Sequence, residues 1–117
     1  ILSITFLGLA ILGCEYNNRN DMFPELSYDC IQLSEYYGEN IQPIIETYCL
    51  GCHQSPSPAG NISFESYETV AMSIKYGSIL DRIQRDSNES GFMPEYGPPL
   101  SQNDILLFQS FKELSCP

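Results

Sequence analysis

The apolar positions of this chain change their rhythm along its length, and each rhythm predicts a different segment. Ile1 to Gly13 (ILSITFLGLAILG) is an unbroken run without a charge. As a helix it reaches only about 20 Å, short of the roughly 30 Å hydrocarbon layer of a bilayer. The run therefore predicts the hydrophobic region of a secretory signal, residues 1–13. From Glu15 to about Glu39 the chain turns polar, rich in Asn, Tyr and acidic residues, with Pro24 and Gly38 as breakers. That predicts a tether over residues 14–39, ordered only where it approaches a domain spanning 40–117.

Beyond Asn40 the period becomes helical. Asn40 reads as an N-cap with Pro43 in the first turn, and Ile41, Ile44, Ile45 and Tyr48 recur at helical spacing up to Cys49. Gln54 to Gly60 is a loop, since two prolines and a glycine cannot continue a helix. A middle helix is predicted over Ser66 to Lys75, ending by Gly77. Ser78 and Asp81 have the spacing of a capping box for a further helix with Ile79, Leu80 and Ile83 on its apolar side. Ser87 to Pro99 is a second loop, punctuated by glycine and proline. In the last helix Ser101 and Asp104 form a box, Leu100 can staple onto Ile105, and Ile105, Leu107, Phe108, Phe111 and Leu114 give a broad apolar face. No strand alternation or internal repeat is visible, so the fold class is all-α.

Charge narrows the partners. Five Lys and Arg against fifteen Asp and Glu leave a net charge of -10. Nucleic acid is excluded as a partner, since binding a polyanion needs a basic face. Acidity serves solubility, or steers the protein toward a basic docking surface on a partner.

The chemistry concentrates in Cys49-Leu50-Gly51-Cys52-His53. Two thiols three positions apart can add to the two vinyl groups of a haem, and the adjacent imidazole can then face the iron. A thioredoxin-like redox pair is the first alternative, but no βαβ unit is visible to carry it. A zinc site is the second, but it needs four ligands, and only Cys14, Cys30 and Cys116 remain to complete it, all far away in sequence. Haem c, one per chain, is therefore the cofactor expected. With a single histidine in the chain, the second axial ligand falls to methionine. Met22 lies in the tether and Met72 inside a predicted helix, where a gap-filling core role fits better. Met93 lies in the second loop, where the backbone can wrap the far haem face and Pro94 favours an extended conformation. Met93 is the candidate.

Ile11-Leu12-Gly13-Cys14 is similar to a bacterial lipobox, with a good fit at Gly13 and a looser one at Ile11 and Leu12. It implies acylation of Cys14, and an exported protein hung by lipid from the periplasmic or cell-surface side of a membrane. A cleaved ordinary signal, or a retained anchor, is the alternative. Over about Asn40 to Leu114 the order IQPIIETYCLGCH, loop, short helix pair, GFMPEYGPPLSQNDILLFQSF resembles the small class I c-type cytochrome domains of bacterial lipoproteins and multidomain cytochromes. The resemblance implies about four short helices around one haem held by Cys49 and Cys52, with His53 and Met93 as axial ligands of the iron. It also implies a last helix packed across the haem-motif helix, with Tyr48, Ile45 and Phe108 or Phe111 as candidates for the crossing. Many relatives read Met-Pro-Pro where this chain has Met93-Pro94-Glu95.

Cys30 and Cys116 then remain, and export favours a disulfide between them, worth on the order of 4 kcal/mol for so long a loop. Two free thiols or an intermolecular bridge are the alternatives. The function implied is electron transfer to redox partner proteins, without enzymatic chemistry. An electron-entry subunit of a larger oxidoreductase, or a haem sensor of small ligands, is the alternative.

Overall fold

The computed structural model describes residues 30–117, and every regular element among them is helical. Helix α1 (Ile31–Tyr36) runs through a π turn (Tyr37–Ile41) directly into α2 (Gln42–Tyr48), making one rod. After a loop containing a short 3-10 turn (Ala59–Asn61) come α3 (Tyr67–Lys75), α4 (Ile79–Gln84) and α5 (Gln102–Glu113). No helix among the described residues is long and apolar enough to cross a membrane. The signal segment 1–13, Cys14 and Met22 lie outside the described residues.

The rod corrects the expected helix start. Helix begins at Ile31, inside the segment read as tether, and Asn40 does not cap it. Leu33, Tyr37, Ile41 and Ile44 are spaced by four, four and three, and all are buried, so the apolar stripe begins before Asn40. Acidic and amide residues between them hide the stripe in a residue count. Pro43 has no N–H for an α-helical bond, and the widened π turn lies just before it, the arrangement that lets a rod continue past such a break. Asn40 instead donates its side-chain Nδ2 to the carbonyl of Tyr36 at 3.1 Å.

The last helix follows its sequence signals. The Ser101 hydroxyl accepts from the amide of Asp104, and the Asp104 carboxylate accepts from the amide of Ser101, satisfying two otherwise orphaned donors. Leu100 is buried and Ile105 packs at the core edge, where a staple places them. Phe108 and Phe111 are fully buried, each contributing roughly 1.5–3 kcal/mol of transfer free energy. At the far end, the ammonium of Lys75 donates to the carbonyls of Lys112 and Leu114 and lies 5.5 Å from the Phe111 ring centre, a cation closing a helix C-terminus. Partial burial there lowers its pKa.

Helix α5 packs against α3, α4 and the π turn. The crossing with the rod differs from expectation. It is made by Tyr36, whose hydroxyl donates to the Leu107 carbonyl at 3.3 Å, and by Tyr36 and Tyr37, whose rings lie 6.2 and 6.4 Å from that of Phe111. Phe111 is one of the expected partners. Ile45 is buried in the same core and Tyr48 borders it. Starting ten residues earlier gives the rod a longer face, and α5 meets it at the π turn.

Helix α3 is capped by Ser66, which accepts from the Thr69 amide. It ends where Gly77 folds its N–H back onto the Met72 carbonyl; a Cβ at Gly77 would lie 2.8 Å from the Ser73 carbonyl oxygen. The capping box expected at Ser78 and Asp81 does not form. Ser78 makes no side-chain cap, and Asp81 pairs with Arg85 at 2.6 Å. The box spacing was present, but a guanidinium one turn away is the stronger partner for a carboxylate. The structure joins Cys30 to Cys116 in a disulfide with Cα atoms 5.6 Å apart, tying the start of α1 to the segment after α5.

Candidate functional site

Helix α2 ends where the candidate motif begins. The amide of Cys49 still donates to Ile45, and the amides of Cys52 and His53 both fold back to the carbonyl of Cys49. The two thiols and the imidazole therefore share one tight turn. Cys49 is half-buried and Cys52 exposed, and neither is in a disulfide. Burial pushes the Cys49 thiol up to about 11. Burial thus disfavours the Cys49 thiolate, the form that attacks in thiol–disulfide exchange. The described residues also hold no strand for the strand-to-helix junction on which such pairs sit. Nor do they hold a group of three or more His, Cys, Asp or Glu side chains placed to bind a metal ion.

The loop after the motif fixes the imidazole. The Nδ1–H of His53 donates to the carbonyl of Ile62 at 2.9 Å, because a carbonyl can only accept. In the neutral ring the lone pair is then on Nε2, where a metal can take it. The His53 ring lies 4.8 Å from that of buried Phe64, and the Phe64 amide donates to the His53 carbonyl at 2.9 Å. The Ala59 amide donates to the Cys52 carbonyl at 2.8 Å. Residues 52 and 53 are thus held from the far side of the loop by backbone bonds.

Glu65 ties that loop. One carboxylate oxygen accepts from the hydroxyls of Ser63 and Ser55 and from the amide of Ser55, all within 2.9 Å. The Ser63 hydroxyl, then Ser55, hold its pKa below the usual glutamate value. A lowered carboxylate stabilises the fold above the unfolded pKa, and that stability is lost as pH falls through the folded value. A titration of the Ser55 amide resonance should accordingly show a midpoint below 4.5, the ordinary glutamate value, and Glu65→Gln should remove the transition. A midpoint at or above that value would contradict the knot.

Met93 sits in the second predicted loop, half-buried against the core beside buried Phe92. Its amide donates to the carbonyl of Arg82 at 3.1 Å, fastening the loop to α4. Met72 lies half-buried on α3 between Ala71 and Ile74. Cys49, Leu50 and Met93 all border the same hydrophobic core. Sequence inspection missed Ile62, Glu65 and Arg82. A backbone carbonyl acceptor has no sequence signal. The serines flanking Glu65 at positions 63 and 55 were the only visible hint of the knot.

Comparison of the chain with family models, curated proteins and solved structures finds no match.

Proposed function

We propose that the chain carries electrons as a mono-haem c-type cytochrome with a cytochrome c-like helical fold. Cys49 and Cys52 would hold the haem through two thioethers, and His53 and Met93 would be its axial ligands. The observation that carries this is the Cys-x-x-Cys-His turn whose imidazole is already oriented by Nδ1–H to Ile62, with Nε2 left to bind iron. The donor set fits the group. Among the described residues, two cysteines are joined to each other and the two in the motif are not, so the thiols needed for attachment are spared.

Bound there, haem supplies a centre that gains and loses one electron, and methionine sulfur raises its potential relative to harder donors. The chain's own residues do the rest. Ile62 orients His53, Phe64 packs against the ring, and the loop anchored on α4 brings Met93 to the core edge. The net charge of -10 supports docking to a redox partner with a basic surface, where opposite fields speed encounter. The apolar run before Cys14 supports export and lipid tethering, and the Cys30–Cys116 bond fits an oxidising compartment.

Met93→Ala tests the ligand set. Ferric haem protein should lose the weak red absorption band of sulfur-ligated iron while retaining covalent haem. An unchanged spectrum would contradict the assignment of Met93.

A further inference from the structure

Three consecutive grips hold the segment that ends at Met93, and two arginines make all of them. Arg85 donates from Nη1 to the carbonyl of Ser90, and Arg82 donates from Nη1 to the carbonyl of Gly91 at 3.2 Å. The backbone carbonyl of Arg82 accepts from the Met93 amide at 3.1 Å. Between them Phe92 is 4 % exposed, so each residue from 90 to 93 is fixed by a bond or by burial. The second guanidinium nitrogen of Arg85 is itself held by Asp81 at 2.6 Å, which sets the direction of the fork. Helix α4 is anchored beneath by buried Ile79 and Ile83, so the grips refer the loop to the core.

Gly91 shows how closely the arrangement is built. Its φ of +80° lies where side chains are disfavoured, and a Cβ there would fall 1.8 Å from Arg82 Nη1 and 2.7 Å from Arg85 Nη1. Only glycine lets both guanidinium groups close on the loop. In a chain with five basic residues against fifteen acidic ones, two of the five point at loop carbonyls, which surface charge balance does not explain.

We propose that Arg82, Arg85 and Gly91 form a clasp whose role is to position Met93 as the distal ligand and keep competing ligands from displacing it. The clasp rests on the proposed haem function for what Met93 binds, but its geometry belongs to the chain alone. Charge-assisted hydrogen bonds to carbonyls are about twice as strong as neutral ones, so two of them resist opening of a short loop. Arg82 and Arg85 are positioning residues; neither needs to touch the haem.

The test uses exported, haem-loaded protein with wild-type sequence, Arg82→Gln/Arg85→Gln, Arg82→Lys/Arg85→Lys and Gly91→Ala. Imidazole is added as a competing ligand, and the loss of the red ferric band is followed. In the glutamine pair and in Gly91→Ala, the imidazole concentration for half-displacement should fall on the order of tenfold or more. Amide exchange at Phe92 and Met93 should quicken, while exchange within Gln102–Glu113 and haem per chain by intact mass stay unchanged. The lysine pair, which keeps donors, should recover part of the protection. Unaltered half-displacement and unaltered exchange at Met93 in haem-loaded variants would overturn the clasp. Wild-type protein without covalent haem would overturn the proposed function instead. Exchange at Met93 can be read in that protein too, so the two failures are distinguishable.

Discussion

Cys49→Ala/Cys52→Ala, exported by a host that attaches haem covalently, should yield protein from which all haem is removed by denaturing solvent. Wild-type protein under the same treatment should keep it. The expected effect is all-or-none because the two thioethers are the only covalent links the account provides. His53 and Met93 stay in place in the double variant, so any haem bound through them is reversible. A single replacement leaves one link and should leave haem attached, with less of it per chain. The thiols are suited to this: both lie on one turn closed by the Cys49 carbonyl, and one is exposed. Solvent-resistant haem in the double variant would mean that attachment runs through other residues.

Removing the Cys30–Cys116 bond with Cys30→Ser/Cys116→Ser should cost about 4–5 kcal/mol of unfolding free energy. The two residues are 86 apart, and closing so long a loop removes much entropy from the unfolded chain. The loss should fall first on α1. Cys30 occupies its N-cap position, and the Cys30 carbonyl accepts from the amides of Leu33 and Ser34. Leu33 is 2 % exposed, so fraying α1 uncovers core. Urea unfolding of the two proteins measures the difference, and amide exchange over Ile31–Tyr36 locates it. A difference under about 1 kcal/mol would show that the chain-entropy picture fails for this fold.

Local signals were legible where one element contains its own reasons. The Ser101 and Asp104 box, the Phe108 and Phe111 face, and the Gly77 stop appear in the structure as their spacing predicts. The Cys30–Cys116 bond was legible as the pair left over if the motif cysteines take haem and Cys14 takes lipid. What was not legible depends on partners distant in sequence. Asn40 has the chemistry of a cap, yet Leu33 and Tyr37 have core to bury, and tertiary burial carries the helix past it. Ser78 and Asp81 have the spacing of a box, yet Arg85 captures the carboxylate. The five residues of the candidate site motif were plain in the sequence, whereas their supports were not. Ile62 acts through its backbone, and Arg82 and Arg85 act only because the loop folds back on α4.

Intact mass of the unreduced wild-type protein, purified after export from a haem-attaching host, tests the central claim most directly. The account predicts polypeptide plus one haem, beside the lipid on Cys14, with Cys49 and Cys52 closed to alkylation. Polypeptide without that added mass, carrying two alkylatable thiols at Cys49 and Cys52, would contradict it.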